Sequence, residues 1–224
     1  MLHQDVLQIS YKHRYEIKKV FKEILGLYNI DHFALDLVRP DGEMIFLSAT
    51  PSHGYEICKR GWGKFDGIIA PEYYENYEFY WWKDARHKNY AKEINYIRHV
   101  KHQFTHGFML VRKLDDFYFV YSFATKNSDP YFPSLIVNKL NELFGVGDYI
   151  YNEMRETYAE YTGIWTPPLI EEFYPFQGGK PAPRYSKYYK KTEAGVLLPS
   201  DDVRSREPKA GLRLIIDNSR AMCE

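Results

Sequence analysis

The stretch KHQFTHGFMLVRKLDDFYFVYSFATKN, residues 101–127, decides the fold class. It contains two apolar segments of strand length joined by an acidic pair, Asp115-Asp116, so it predicts a β-hairpin with a tight turn. A hairpin that is apolar on both faces needs cover on both faces, and the helical segments before and after it can provide that cover. We assign Phe108, Leu110, Phe119 and Tyr121 to one phase of the alternation, and Val111, Phe117, Val120 and Phe123 to the other.

The rest of the chain supplies a second hairpin and the covering helices. The pattern Pro40-Asp41-Gly42 is typical of a tight turn between two strands. Apolar spacing indicates helices elsewhere, with Gly145 and Gly147 as possible breaks in the last of them. The predicted fold class is α+β, an α/β/α sandwich of PAS/GAF-like type around a central antiparallel sheet. We predict strands at 32–39 and 43–49, and helical segments at 10–28, 52–58, 81–95 and 131–161.

Composition and charge restrict the function classes. The 224 residues include 30 Lys and Arg against 30 Asp and Glu, and this balance argues against a whole-chain nucleic-acid surface. Cys58 and Cys223 are far apart and indicate no disulfide framework. The N-terminal region lacks the apolar core of a secretory signal, and no apolar run is long enough to cross a bilayer. We therefore expect a soluble, cytoplasmic protein.

The chain divides by composition into a sensor-like domain, 1–162, and a C-terminal extension, 163–224. Five prolines between Pro167 and Pro183, together with Gly178-Gly179, predict an irregular Pro-rich linker. Basic residues alternate with tyrosines between Lys180 and Lys191, and two alternatives remain open for this tail. In the first, the tail binds phosphates or an anionic membrane surface; in the second, it is a solvated linker.

Two quoted stretches and the helix after them support a family resemblance. They are TPSHGYEICKRGWGKFDG, residues 50–67, and FTHGFMLVRKLDDFYFVYSFA, residues 104–124. With the predicted order of elements over about 10–161, they resemble the autoinducer-binding domain of LuxR-type quorum-sensing regulators. The family's DNA-reading helix-turn-helix needs roughly 60 residues. Residues 203–207 resemble only its opening, so we expect no sequence-specific DNA binding by this chain alone.

The resemblance implies a small amphipathic ligand, acyl-lactone-like or other, between the sheet and the helices on one side. It implies that Asp66 accepts a ligand N–H, that Trp81 closes over the head group, and that Gly107 lies in the strand under the ligand. His53 and Ile57 stand where the family has a pocket Trp and Tyr. The alternative is that Asp66 is a turn or cap residue with no ligand role, since Asp-Gly pairs are common in turns.

Two further residues complete the predicted ligand-binding set. Tyr77 belongs to a dense aromatic cluster at 73–82, which fits a pocket wall or a protein interface. Ser122 belongs to the Ser-Phe-Ala step of the hairpin. We also expect pairing of two copies, or of this chain with a full-length relative, through the helix around Leu140 and Phe144.

Alternatives from other function classes remain. The leading one is a PAS/GAF-like protein-interaction module whose cavity is filled by its own side chains, and a cavity beside Asp66 distinguishes it from a ligand-binding domain. An enzyme that uses Cys58 with His53 lacks an orienting third residue. The spacing of His99, His102 and His106 has no cysteine to complete a zinc pattern. We expect no metal, no cofactor and no catalysis.

Overall fold

The computed structural model describes residues 1–85 and 89–171, and the backbone of two short paired strands, β6 (Tyr189–Lys191) and β7 (Leu197–Pro199). Its centre is a five-stranded sheet in the order β2-β1-β5-β4-β3, in which all neighbours are antiparallel. The predicted α+β fold class, an antiparallel sheet between helical layers, is confirmed. The strands are β1 (His32–Val38), β2 (Met44–Ser48), β3 (Phe79–Trp81), β4 (His106–Leu114) and β5 (Phe117–Thr125).

The two predicted hairpins form at the expected positions. In the β4–β5 hairpin the register runs from His106 opposite Thr125 to Leu114 opposite Phe117. Asp115 takes a positive φ of 53° in its turn, a conformation that Asp adopts more readily than most residues. The phase assignment was partly wrong, because Phe117 and Phe123 pack in the same cluster as Phe119 and Tyr121.

One face of the sheet is covered by the N-terminal and C-terminal helices. These are α1 (Val6–Lys12), α2 (Arg14–Lys22), α6 (Phe132–Asn138) and α7 (Leu140–Ala159). They enclose the larger apolar cluster, and the Tyr158 hydroxyl donates a 2.7 Å hydrogen bond to the Leu35 carbonyl beneath it. Leu140 and Phe144 are 3% and 7% exposed in this cluster. Both side chains thus pack on the chain's own sheet, and the predicted pairing through the helix around them stays a prediction.

The other face is covered by shorter elements. They are α3 (Pro51–Lys59), the 3-10 turns Gly63–Phe65 and Gly67–Ile69, α4 (Pro71–Tyr74), α5 (Ala91–Asn95) and the π-helical turn Tyr96–Lys101. A second apolar cluster, which includes Trp82, Met109 and Val120, lies under this layer. The sandwich thus has two unequal faces, and the irregular face contains most of the buried polar side chains discussed below.

Three predicted helices differ from those observed. The segment 10–28 contains parts of two helices that meet at His13. The segment 81–95 begins with the last residue of β3, and α5 is the helix found among its described residues, 81–85 and 89–95. The segment 131–161 breaks at Lys139 and not at the glycines. Gly147 lies inside α7 because the Tyr121 ring passes so close that an added Cβ would be 2.2 Å from it.

Residues 167–170 follow α7 back along its surface. Tyr151 donates to the Pro168 carbonyl at 2.6 Å, and Arg155 donates to the Pro167 carbonyl at 2.8 Å. The Ile170 side chain is 3% exposed. The start of the Pro-rich segment thus packs on α7, and the domain boundary at 162 stays a prediction. The basic tyrosine-rich tail lies outside the described residues apart from β6.

Across the described residues no helix combines the length and the apolar character that a bilayer crossing requires.

Candidate functional site

A buried ion pair joins two of the short elements on the irregular face. Asp66, between the two 3-10 turns, accepts hydrogen bonds from Nη2 of Arg98, at 2.5 Å to Oδ1 and 2.6 Å to Oδ2. Its Oδ1 also accepts the Ile68 backbone N–H at 3.3 Å, so the residue caps the second turn. The Asp66 and Arg98 side chains are 6% and 3% exposed. Asp66 is therefore a turn cap whose charge is balanced inside the protein.

Arg98 continues this arrangement to a pair of stacked rings. Its guanidinium lies 4.9 Å from the centre of the Trp82 ring, within cation–π range. The Trp82 ring stacks on the imidazole of His53 at 5.7 Å and an interplanar angle of 8°. His53 comes from α3, so the three side chains tie α3, the π-helical turn and the end of β3 together.

A small chamber lies between this layer and the sheet. Its volume is about 50 Å³, which has room for a few water-sized groups. Strands β1, β2 and β5 form the floor, and α3 with the two 3-10 turns forms the roof. The lining residues are His32, Ala34, Asp36, Met44, Phe46, Ser48, His53, Gly54, Ile57, Cys58, Gly63, Asp66, Ile68, Ile69 and Ser122.

Asp36 is the acidic group in the floor of the chamber. Its side chain lies on β1 and is 4% exposed. Within residues 1–85 and 89–171 no hydrogen bond or salt bridge to its carboxyl group is present. Burial, with a smaller contribution from the negative charge of Asp66, raises the pKa of Asp36 to about 8.

Two chamber histidines are held in the neutral form. Burial, with smaller contributions from His102 and Arg98, lowers the pKa of His32 to about 3. Burial also lowers the pKa of His53, with smaller effects from His32 and Arg98. The two imidazoles meet edge to face at 5.5 Å.

Several polar atoms around the chamber lack partners. Among the described residues, His32 Nδ1, His53 Nε2 and Arg98 Nε are buried with no hydrogen-bond partner. Most buried polar atoms in proteins do have a partner, either in the protein or in bound water. Two of these atoms belong to residues that line the chamber, His32 and His53, and the third belongs to the partner of the chamber residue Asp66.

A wider apolar recess adjoins the chamber. Its volume is about 490 Å³, and Met44, Cys58, Gly63, Asp66 and Ile69 line both spaces. The remaining walls are mainly apolar and come from the chain start, the turns and α4: Met1, Leu2, Gly61, Lys64, Ala70, Pro71, Glu72 and Tyr74. The more polar chamber and the more apolar recess therefore adjoin along these five shared residues.

A larger groove of about 820 Å³ lies elsewhere, between α1 and α3. Its lining includes Ser10, whose hydroxyl donates to the Phe46 carbonyl at 2.8 Å. The groove is not lined by the residues that carry the unpartnered atoms near the chamber, which are His32, His53 and Arg98. We therefore place the candidate site at the chamber and its recess.

The predicted ligand-binding residues separate into two groups. Asp66, His53, Ile57 and Ser122 all line the chamber. Their roles in holding a ligand stay predictions.

The other predicted residues lie outside the chamber lining. Trp81 packs on the opposite face of the sheet, 5.6 Å from the Phe108 ring, so it does not border the chamber, and its role in ligand binding stays a prediction. Side chains alternate along β3, and the next residue, Trp82, faces the chamber side. Gly107 lies under the Trp82 ring, while Tyr77 packs beside Tyr80 at 6.4 Å.

The sequence reasoning missed Asp36, His32 and Arg98. Two of them could have been recognised, because His32 and Asp36 are the polar residues of an otherwise apolar strand, HFALDLV, and both lie on the same side of it. Polar side chains two and four positions apart on a buried strand point to the same face. Arg98 gave no comparable signal, since it lies in an irregular turn.

Two further predicted groups have ordinary surroundings. In the parts of the chain described, no three His, Cys, Asp or Glu side chains are placed to hold a metal ion. His102 and His106 stack instead on Phe104 and Phe132. Burial raises the pKa of Cys58 to about 12, with contributions from Asp66 and Asp36, so the reactive thiolate is disfavoured.

Comparison with known proteins gives a structural similarity. No family model and no curated protein matches the sequence. The chain is similar to SdiA, a LuxR-type autoinducer-binding regulator and thus a member of the family that the sequence resembles. A structure of SdiA in complex with octanoyl-rac-glycerol matches with a TM-score of 0.46 and 14% identity, over 65% of this chain and 62% of that one. A crystal structure of Escherichia coli SdiA matches with a TM-score of 0.49 and 13% identity, over 74% of this chain and 72% of that one.

Proposed function

We propose that this chain is a non-enzymatic domain that senses a small amphipathic molecule. The polar end of the ligand occupies the chamber, and its apolar part lies in the recess lined by Leu2, Met44 and Tyr74. The observation that supports this best is the set of unpartnered buried polar atoms at the closed end of an apolar recess. A site of this kind fixes the orientation of a ligand by a few polar groups and binds it mainly by apolar contact.

The chamber also bears on the rival function. A protein-interaction module with a self-filled interior would have no cavity beside Asp66, and a cavity is present there. At about 50 Å³ it admits a head group only, because pockets for whole drug-sized ligands span roughly 300–1,000 Å³. The adjoining recess of about 490 Å³ supplies the remaining room.

The biological setting forms part of the same proposal. A ligand-sensing domain of this type acts in signalling or transcriptional regulation, as a homodimer or as a heterodimer with a full-length relative. We place it in the cytoplasm. The ion pair of Asp66 with Arg98 differs from what the family resemblance implies, because the protein itself already uses both carboxylate oxygens. In our proposal Asp66 fixes the roof of the chamber and contacts the ligand only at its edge.

Native mass spectrometry with a chamber-filling variant tests this function. We expect the purified wild-type protein to retain a small molecule and Ser122→Leu to lose it, because Ser122 is 3% exposed on the chamber floor. The matched control is Ser134→Leu on the exposed side of α6, which should retain the molecule. Both variants are checked for a native circular-dichroism spectrum. If both then retain the molecule equally, the ligand does not bind in the chamber.

A further inference from the structure

The position of Asp36 restricts the chemistry of the ligand. Asp36 lies at the middle of β1, opposite Phe46 of β2 and Val120 of β5. Strands on both sides fix its backbone, and its side chain borders the chamber on the face that α3 covers. The carboxyl group therefore cannot leave the interior to reach water without breaking the sheet.

Among residues 1–85 and 89–171, the groups that face Asp36 provide no uncommitted positive charge. From β1 and α3 come His32 and His53, which are neutral at pH 7, and the protonated thiol of Cys58. From the 3-10 turns comes the carboxylate of Asp66, and Arg98 is committed to it through both oxygens. The Ser122 hydroxyl lines the same chamber, and the His102 imidazole packs on His53. The Tyr80 hydroxyl lies near Asp36 as well, and the Tyr158 hydroxyl lies near it from the opposite face of the sheet.

A buried carboxylate without a counter-ion is costly, and a cation placed against it removes most of that cost. A protonated amine has up to three N–H donors and no acceptor. The chamber offers acceptors in the Asp36 carboxylate and the Ser122 hydroxyl, and in the unpartnered nitrogen of His32 in the tautomer with its proton on Nε2. One ammonium group with its attached carbon also matches a space of about 50 Å³.

We propose that the chamber binds a protonated amino group of the ligand, with Asp36 as its counter-ion. This inference rests on the proposed function and names the ligand class: an amphipathic amine whose apolar part lies in the recess. Asp66 does not compete for the ammonium group, because Arg98 already neutralises it.

Two probes of equal chain length test the inference, n-octylamine and 1-octanol at submicellar concentration. Calorimetry at pH 8 should show octylamine binding at least about tenfold more tightly, since a hydrogen bond to a charged group is stronger than one to a neutral group. Asp36→Asn keeps the shape of the side chain and should remove this preference while octanol still binds. Asp116→Asn, in the exposed β4–β5 turn, is the control and should keep it.

The pH dependence gives an independent readout. Octylamine stays protonated below about pH 9, whereas Asp36 must ionise to pair with it, so binding at pH 7 should release close to one proton. The dissociation constant should fall about tenfold per pH unit between pH 6 and 8. Octanol binding should show neither effect, and neither should octylamine binding to Asp36→Asn.

The outcomes separate the inference from the proposed function. Equal affinity for both probes would overturn the amine inference and leave the amphipathic-ligand function standing. A preference for octylamine that survives in Asp36→Asn would overturn the role of Asp36. Failure of both probes to bind would overturn the inference and count against the chamber and recess as a ligand site.

Discussion

The Trp82 indole lies directly over the backbone of Gly107: a Cβ added to this glycine would be 2.1 Å from Cδ2 of the ring. The Gly107 carbonyl also accepts the Trp82 backbone N–H at 2.9 Å, so the two residues are held face to face. Because Trp82 in turn stacks on His53, a glycine of β4 sets the position of a chamber residue on α3.

Replacement of Gly107 by Ala should therefore displace Trp82. We expect a loss of about 1–3 kcal/mol in the free energy of unfolding, the usual cost of an extra carbon in a packed interior. The near-ultraviolet circular dichroism of the protein should change at the same time. In a Trp82→Leu background the same glycine substitution should cost clearly less, and equal costs in both backgrounds would show that the ring is not what the added carbon meets.

This contact also shows why the sequence could supply the sheet but not the site. The strands of the β4–β5 hairpin follow from apolar runs of strand length that each strand contains by itself. The choice between Trp81 and Trp82 depends on the phase of β3, a three-residue strand whose place in the sheet is set by pairing with β4. A strand this short has no readable period of its own, so the sequence could not decide which of the two tryptophans faces the chamber.

The Asp66–Arg98 pair should be important for stability. Arg98→Met leaves the Asp66 carboxylate buried without its partner, and we expect a loss of about 3–5 kcal/mol in the free energy of unfolding. The double variant Arg98→Met with Asp66→Asn removes both charges and should be more stable than Arg98→Met alone. Urea denaturation of wild type, Arg98→Met, Asp66→Asn and the double variant measures the coupling, and additive effects would contradict a direct pair.

The stability of the protein should fall as the pH rises from 6.5 to 8. Asp36 has a folded-state pKa raised to about 8 from 3.8, so its neutral form stabilises the fold fully below pH 3.8 and this contribution is lost as the pH rises through 8. His32 has a folded-state pKa lowered to about 3 from 6.5, so its opposing effect is confined to pH values below 6.5.

Between pH 6.5 and 8 the Asp36 effect should amount to about 2 kcal/mol, since each pH unit contributes about 1.4 kcal/mol. Chemical denaturation of wild type and Asp36→Asn across this range isolates the effect, because other titrating groups cancel in the difference. A constant difference between the two proteins from pH 6.5 to 8 would place the Asp36 pKa outside this window.

The role of Asp36 could not be predicted from the sequence of β1 alone. The strand sequence HFALDLV predicts that both faces of the strand are buried. A buried acid on such a strand is costly unless a partner or a ligand lies beside it. The conflict is visible in the sequence. The partners that make it a site, His53 and the Asp66–Arg98 pair, come from α3 and two irregular turns far along the chain, and no local pattern connects them.

A second buried ionic group should stabilise the opposite face. Asp148 of α7 is fully buried, accepts a 2.8 Å hydrogen bond from the Tyr121 hydroxyl and pairs with Arg112. Tyr121→Phe removes the hydroxyl and should cost about 1.5–3 kcal/mol in the free energy of unfolding, as for a hydrogen bond to a charged group. Tyr118→Phe, which removes a hydroxyl from the other face of β5, is the control and should cost less in the same denaturation experiment.

The last prediction separates a core role from an assembly role for α7. Leu140 is 3% exposed against the sheet, so Leu140→Ala should lower the free energy of unfolding by about 2–5 kcal/mol through the lost apolar contacts and the cavity left behind. Because the contact lies within one chain, this loss should be the same at low and high protein concentration. Ultracentrifugation of the variant should give the same oligomeric state as wild type. A concentration-dependent loss of stability, or dissociation of an oligomer by this substitution, would instead support pairing of two chains through this helix, as the sequence predicts.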